Sequence, residues 1–129
     1  MLINKNILIV EDNQLNKKII SYWFSKYGYL FSFADCGEDA LELYIKEYYE
    51  IIIMDLLLPG INGFETAKKI REISSNQYNK QPYIIALTAN TLDNDRIKCL
   101  QAGMDEYMSK PINFKLMDEL LNNINSDNG

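Results

Sequence analysis

The stretch IIIMDLLLPG, residues 51–60, decides the fold, because a single carboxylate, Asp55, stands among eight apolar residues. The continuous apolar run before it is typical of a strand that is covered on both faces in a parallel sheet. A charge left in a dry strand without a partner costs on the order of several kcal/mol. Either Asp55 lies at the end of the strand, where water and a cation reach it, or the strand is strained for a reason. Both alternatives predict chemistry at this residue.

Composition and charge narrow the class of protein. The chain has 129 residues, of which 47% are apolar and 24% charged, and this predicts one globular domain with its own core. The net charge of -5 argues against the phosphate attraction on which nucleic-acid binders depend. The first apolar run, Ile7–Val10, is too short for a signal peptide or a membrane span, and the acidic residues Glu11 and Asp12 follow it directly. We therefore expect a cytoplasmic protein that neither inserts into membranes nor binds nucleic acid by itself.

Cysteine and histidine usage excludes several kinds of site. Cys36 and Cys99 are too few and too far apart to predict a disulfide framework or a metal knuckle, and we expect two small buried or half-buried thiols. Histidine is absent, which excludes Ser-His-Asp and Cys-His nucleophile pairs and imidazole zinc sites. Any phosphoryl group that arrives as phosphohistidine must therefore come from another molecule.

Strand and helix patterns alternate five times along the chain. The predicted strands are Asn6–Val10, Leu30–Ala34 nearer an edge, Glu50–Met54, Pro82–Leu87 and Glu106–Met108. Apolar stripes at helical spacing lie between them and after the last: Leu15, Ile19, Trp23 and Tyr27; Ala40, Leu41, Tyr44 and Tyr48; Phe64, Ala67 and Ile70; Leu92, Ile97 and Leu100; Phe114, Met117, Leu121 and Ile124. This alternation predicts right-handed crossovers and a parallel sheet between two layers of helices.

Turn and cap residues agree with these elements. Gly28 and Gly103 fall where a left-handed C-cap is expected, and Asn113 is placed to cap the last helix. The polar segment Ser74–Gln81 predicts a mobile loop, and the core of about residues 6–124 is expected to end in a flexible tail at 125–129. The chain, residues 1–129, is predicted to be a single domain without a Gly-rich nucleotide loop.

Conspicuous polar residues follow the apolar runs, at the strand ends where a doubly wound sheet binds its ligands. They are Glu11 and Asp12 after the first strand, Asp55 after the third, Thr88 after the fourth, and Lys110 with Pro111 after the fifth. Carboxylates crowded together repel one another unless a cation compensates. An oxygen-only ligand set favours Mg²⁺, which prefers one or two carboxylates, water and a phosphate oxygen. The sequence predicts a site for Mg²⁺ and a phosphoryl group.

Four segments, ILIVEDN, IIIMDLLLPGINGFE, IIALTAN and GMDEYMSKPI, give the chain a family resemblance from about Asn6 to Ile124. In this order they resemble the motifs of the receiver domain of two-component response regulators. The resemblance implies a flavodoxin-like (βα)5 fold, a doubly wound parallel five-stranded sheet in the order 2-1-3-4-5. It also implies a signalling phosphoacceptor rather than an enzyme, one that assists its own Mg²⁺-dependent phosphorylation and dephosphorylation.

Residue roles follow from the same resemblance. Asp55 is the implied phosphoacceptor, and Glu11, Asp12, Asp55 and the backbone carbonyl of Leu57 are the implied ligands of Mg²⁺, with Mn²⁺ as a substitute. Lys110 would pair with Asp55 and then with the phosphoryl group, beside the small Ala89. Thr88 and Tyr107 would rearrange together and switch the surface of the fourth helix, fifth strand and fifth helix. Pro111 would follow the lysine through a cis peptide bond.

The expected partners are a sensor histidine kinase or a histidine phosphotransfer protein, with a monomer or a phosphorylation-dependent dimer as the state of the chain. Asn13 and Asn16, with the GMDEYMSKPI ending, resemble receivers of hybrid histidine kinases and phosphorelays. One alternative is a pseudo-receiver, a protein-interaction module that phosphorylation does not regulate. Another is an enzyme on a related sheet, a flavin protein or an Asp-nucleophile phosphatase. The phosphatase is expected to carry a second aspartate where this chain has Leu57.

Overall fold

Five parallel strands form one sheet in the computed structural model, which describes residues 5–57, 60–89 and 93–127. The strands are β1 (Asn6–Val10), β2 (Leu30–Ala34), β3 (Ile51–Asp55), β4 (Tyr83–Thr88) and β5 (Glu106–Ser109). The helices are α1 (Gln14–Tyr27), α2 (Gly37–Lys46), α3 (Gly63–Ile73), α4 (Asp93–Gln101) and α5 (Phe114–Asp127). The strand order β2-β1-β3-β4-β5 confirms the predicted flavodoxin-like α/β fold, with β2 at one edge.

Each face of the sheet has its own apolar core, because successive side chains of a strand point to opposite faces. One face presents Ile7, Ile9 and Ile53 to buried residues of α1 and α5. The other presents Leu8, Ile52 and Met54 to α2, α3 and α4. The central strands β1 and β3 are therefore buried on both sides, which explains why they read as continuous apolar runs.

The predicted loop at residues 74–81 is wrong in its first half, where a π-helical turn, Ser74–Tyr78, continues α3. Ser74 is fully buried, and its hydroxyl donates to the Ile70 carbonyl at 2.7 Å while lying 2.6 Å from the Tyr44 hydroxyl. The Tyr78 hydroxyl donates to the carbonyl of Tyr44, at 2.5 Å, in the last part of α2. Polar residues that suggest a loop form regular structure here because they satisfy carbonyls at the end of another helix.

Three stripe assignments need correction. Helix α2 ends at Lys46, since Glu47 is extended, so Tyr48 lies beyond it. In α4 Cys99 is buried, whereas Ile97 and Leu100 are 51% and 59% exposed, and Leu92 falls outside the described residues. In α1 the buried side chains are Ile20 and Phe24, while Leu15 and Ile19 are 65% and 41% exposed. Helical spacing indicated the helices, but it does not fix where a helix ends or which flank of a stripe meets the sheet.

The predicted caps are confirmed. Gly28 and Gly103 have φ angles of 81° and 90°, and the Asn113 side chain accepts from the Leu116 N–H at 3.1 Å. Helix α5 continues to Asp127, three residues past the last apolar residue of its stripe, so residues 125–127 are helical. The flexible tail stays a prediction, and residues 128 and 129 lie outside the described part of the chain.

The two cysteines are half-buried and buried, as the sequence predicted. Cys36 is half-buried and caps α2, with its sulfur accepting from the Asp39 N–H at 3.5 Å, and Cys99 is buried. Within the described ranges, no helix has the length and apolar character needed to span a bilayer.

Candidate functional site

The carboxyl ends of the strands bring the predicted site residues to one edge of the sheet. Asp55 is the last residue of β3 and Thr88 the last of β4, while Glu11 follows β1 and Lys110 follows β5. The β5 end is tied to β4, since the Lys110 N–H donates to the Thr88 carbonyl at 2.8 Å. Parallel strands explain this convergence, because all their carboxyl ends lie on the same side.

Three carboxylates form the centre of the site. One oxygen each of Glu11, Asp12 and Asp55 lies within 4.8 Å of the other two. Glu11 and Asp55 are only 1% and 4% exposed, whereas Asp12 is exposed. Two buried negative charges therefore stand beside one that solvent reaches, and such an arrangement needs positive charge close by.

Lys110 supplies part of that positive charge. Its ammonium group contacts Oδ2 of Asp55 and lies 3.7 Å from Oε1 of Glu11. Burial alone would lower the pKa of Lys110, but the hydrogen bond to Asp55 and the charges of Asp55, Glu11 and Asp12 outweigh it and raise the pKa. The amine is therefore held in its charged form at neutral pH.

Backbone and side-chain donors fix the orientation of Glu11. Its Oε2 accepts from the Asn13 N–H at 3.1 Å, and its Oε1 accepts from the Asn16 side-chain amide at 3.3 Å. Asn13 also caps the start of α1, because its side-chain oxygen accepts from the Asn16 N–H at 2.9 Å. The sequence indicated Asn16 only through a family resemblance, and the structure shows that it contacts the acidic cluster.

The β3–α3 loop contributes backbone to the site. The Leu57 N–H donates to Oδ1 of Asp55 at 3.0 Å, and the Leu57 side chain points away, 77% exposed. Gly63, at the start of α3, lies so close to the strand that a Cβ there would stand 3.0 Å from the Asp55 carbonyl oxygen. Asp55 thus has a donor on each carboxylate oxygen, Leu57 on one and Lys110 on the other.

The switch candidates lie on the two neighbouring strands. Thr88 is buried, 4% exposed, and pairs in register with Ser109, while Tyr107 pairs with Ala86. Tyr107 is half-buried against the core on the α2–α3 face, and Ala89 is exposed next to Thr88. The Lys110–Pro111 peptide bond is cis, as the resemblance implied.

The donor set fits a hard divalent cation. Three carboxylates meet one lysine, no histidine occurs in the chain, and the exposed Asp12 leaves an approach from solvent. Carboxylate oxygens with open positions for water are what Mg²⁺ prefers, and an additional cation would relieve the excess negative charge.

Fold and site together define a class: a doubly wound α/β domain whose acidic crevice, paired with a lysine, lies at the carboxyl edge of the sheet. The family described as the response regulator receiver domain matches residues 7–123. The chain therefore belongs to the receiver domain family of two-component phosphorelay signalling. Receiver domains are signalling phosphoacceptors and are not generally classed as enzymes.

Relatives agree with the hybrid-kinase resemblance. Hybrid signal transduction histidine kinase I of Dictyostelium discoideum is 37% identical over 94% of this chain, which corresponds to 7% of that protein. The transcriptional regulatory protein HprR of Escherichia coli is 34% identical over 84% of the chain and 46% of its own length. The chain thus spans well under half of the length of the hybrid kinases that it matches.

Solved structures show the same fold. The receiver domain of Saccharomyces cerevisiae Ssk1, crystallised with the histidine phosphotransfer protein Ypd1, has a TM-score of 0.83 at 32% identity, covering 92% of this chain and 86% of that one. The receiver domain of the Pseudomonas aeruginosa kinase PA1611, with a magnesium ion coordinated in its active-site cleft, has a TM-score of 0.80 at 34% identity and covers 92% and 95%.

Proposed function

We propose that this chain accepts a phosphoryl group from a phosphohistidine donor onto Asp55, with Mg²⁺, and that the modification switches the surface formed by α4, β5 and α5. One observation carries the proposal: Asp55 is 4% exposed, and its two oxygens are held by the Leu57 N–H and the Lys110 amine beside two further carboxylates. The Lys110 pair alone would satisfy an aspartate with a structural role, so the two additional carboxylates favour a site that binds a cation.

The chemistry is the transfer of a phosphoryl group from nitrogen to oxygen. A carboxylate oxygen of Asp55 bonds to phosphorus while the P–N bond to the donor imidazole breaks, and the imidazole nitrogen keeps the electron pair and takes up a proton. The product is an acyl phosphate on Asp55. Such transfer depends on an in-line nucleophile and on neutralisation of the phosphoryl oxygens. The two donors already present orient the nucleophile.

Metal binding is assigned to the acidic cluster. Asp12, Asp55 and the Leu57 carbonyl would hold Mg²⁺, and Glu11 would act mainly through water. When bound, the ion supplies positive charge to the transferring phosphoryl group. Lys110 exchanges its contact with Asp55 for a phosphoryl oxygen, since its charged amine lies at the same carboxylate. The magnesium ion in the PA1611 receiver, 34% identical, supports this assignment.

Signal output is assigned to Thr88 and Tyr107. Thr88 ends the strand beside β3, so its hydroxyl has a short path to a phosphoryl group on Asp55, and the small Ala89 leaves space there. Tyr107, one strand farther, would change rotamer into the space that Thr88 leaves. The receiver of Ssk1, crystallised with Ypd1, supports a histidine phosphotransfer protein as the partner, beside a sensor kinase. The acids and the lysine are all present, so no observation favours the pseudo-receiver alternative.

The test is phosphorylation followed by intact mass. The protein is incubated with Mg²⁺ and acetyl phosphate or a phosphorylated histidine phosphotransfer protein, and we expect a gain of about 80 Da. Asp55→Asn should abolish the gain, whereas the matched variant Asp39→Asn, at an exposed residue in the first turn of α2, should retain it. An unmodified wild type, or an adduct that persists in Asp55→Asn, refutes the proposal.

A further inference from the structure

The β3–α3 loop is anchored from outside the site by the first turn of α2. Oε2 of Glu38 accepts a hydrogen bond from the Ile61 N–H at 3.2 Å. The two residues are 23 positions apart, so this contact joins two separate elements at the carboxyl edge of the sheet. The acidic site does not use Glu38, and no motif in the sequence indicated it.

The loop approaches Glu38 with its backbone. Gly60 has a φ angle of 76°, a left-handed conformation that favours glycine, and a Cβ there would lie 2.5 Å and 2.6 Å from the two carboxylate oxygens of Glu38. Gly37 is equally close to the loop from the other side, since a Cβ there would lie 2.6 Å from Cγ1 of Ile61. The absence of a side chain at Gly60 thus leaves the space that the Glu38 carboxylate occupies, and Gly37 lets α2 approach Ile61 closely.

The Glu38 carboxylate is charged when it makes this contact. Hydrogen bonds from its own backbone N–H and from that of Ile61 hold the pKa of Glu38 below its usual range, and the Lys69 charge acts in the same direction. A negative charge in the first turn of a helix is also favoured by the helix dipole. The anchor is thus a charge-assisted hydrogen bond, which is stronger than one between neutral groups.

From Ile61 the contact continues to the phosphoacceptor through successive residues. Asn62 caps α3, with its side-chain oxygen 2.9 Å from the Glu65 nitrogen, and Gly63 is packed against the Asp55 carbonyl. At the other end of the loop, the Leu57 N–H is bonded to the Asp55 carboxylate. Leu57, whose carbonyl is proposed to bind Mg²⁺, is therefore bonded to Asp55, and Ile61, four residues later, is bonded to Glu38.

We infer that Glu38 is a positioning residue, which sets the affinity for Mg²⁺ and the rate of phosphorylation by holding the β3–α3 loop in place through Ile61. The inference rests on the proposed function, because the metal site is that of Asp55. Glu38 touches neither the metal ligands nor the phosphoryl group, and it acts on them through the backbone alone.

The test compares Glu38→Ala with Glu38→Gln, whose side-chain oxygen still accepts from the Ile61 N–H. The matched control is Glu42→Ala, which removes an exposed carboxylate from the same helix four residues later. Mg²⁺ alone is titrated while the amide shifts of Asp12 and Leu57 are followed, and the rate of the 80 Da gain is measured separately. Urea midpoints show whether the variants are folded.

We expect Glu38→Ala to weaken Mg²⁺ binding about fivefold, the factor of one hydrogen bond of ordinary strength, and to slow phosphorylation by a similar factor. Glu38→Gln should lie between Glu38→Ala and the wild type, because it keeps the acceptor oxygen and loses the charge, and Glu42→Ala should match the wild type. Wild-type Mg²⁺ affinity in Glu38→Ala, or a Glu38→Gln variant as weak as Glu38→Ala, overturns the inference. If the wild type binds Mg²⁺ but gains no phosphoryl group, the proposed function fails, and the titration still decides the role of Glu38.

Discussion

Charged residues lie at both ends of the parallel strands, which we call the amino edge and the carboxyl edge of the sheet. At the amino edge their hydrogen bonds are matched, and at the carboxyl edge negative charge is in excess. At the amino edge, the Arg71 guanidinium donates to the Gly103 carbonyl at 2.8 Å and 2.5 Å and to the Pro82 carbonyl at 2.7 Å. It also donates to the Gln81 side chain at 3.1 Å and to the Asp105 carboxylate at 2.8 Å, so every N–H of the group is used. At the carboxyl edge, the Lys110 amine pairs with Asp55 and Glu11, and the third carboxylate of the cluster, Asp12, is exposed.

The first cluster stabilises the fold, and the second is the candidate site for a ligand. The Arg71 cluster is closed, because donors and acceptors match and nothing further is needed. The Asp55 cluster has more negative than positive charge and therefore attracts a cation and then a phosphoryl group. We expect substitutions at the amino edge to change the free energy of unfolding and leave phosphorylation intact, and substitutions at the carboxyl edge to do the reverse.

The largest effect on stability is expected from Arg71→Ala. The side chain is 22% exposed, and its removal leaves the Gly103 and Pro82 carbonyls without their donor, which should lower the free energy of unfolding by about 3 kcal/mol. Arg71→Lys should recover only part of this loss, because an ammonium lacks the planar fork. Urea denaturation measures the change, with the exposed Lys69→Ala as the matched control.

Phosphorylation of Arg71→Ala tests whether the two edges act independently. Below the unfolding midpoint, Arg71→Ala should still gain about 80 Da on Asp55. A loss of the adduct in folded Arg71→Ala would show that the two edges are coupled and that the separation drawn above is wrong.

A smaller effect is expected from metal binding at the carboxyl edge. A ligand that binds only the folded state stabilises it, by about 1.4 kcal/mol at ten times its dissociation constant. Mg²⁺ should therefore raise the unfolding free energy of the wild type, and Asp12→Asn should remove most of that gain, because Asp12 is one of the three clustered carboxylates. Asp105→Asn, at the amino edge, should respond to Mg²⁺ as the wild type does. An equal Mg²⁺ response in Asp12→Asn would contradict the assignment.

The smallest effect concerns alkaline pH at the amino edge. Burial, with the charges of Tyr44 and Glu50, raises the pKa of Tyr48 to about 12. The fold favours the neutral phenol, so its contribution is complete below pH 10 and is lost as the pH rises from 10 to 12. Because the side chain is only half-buried, we expect a loss of about 1 kcal/mol.

The substitution Tyr48→Phe removes the titrating hydroxyl and keeps the aromatic ring. The Lys80 ammonium lies 4.2 Å from the Tyr48 ring centroid, a contact that Tyr48→Phe keeps. Urea midpoints at pH 9 and pH 11.5 should therefore differ less in Tyr48→Phe than in the wild type. Tyr22→Phe, at a side chain that is 61% exposed, is the control and should retain the wild-type difference.

The sequence predicted the carboxyl edge far better than the amino edge. Glu11, Asp55 and Thr88 were found because each closes an apolar run, and parallel strands must deliver such residues to one place. The sequence did not indicate Arg71, since its partners, the Gly103 carbonyl and the Asp105 side chain, are 32 and 34 residues away. The sequence did not indicate Glu38 either, because its partner is a backbone N–H, that of Ile61, 23 residues away.

The sequence by itself determined the order of elements, the parallel sheet and the acidic residues at its carboxyl edge, because periodicity and strand ends are local properties of a chain. Only the tertiary structure decided that Ser74–Tyr78 is a π-helical turn, that Leu100 of α4 is exposed, and that Glu38 contacts Ile61 in the connection after Asp55. These features depend on which distant residues meet when the layers pack, and the local spacing of a sequence does not fix that.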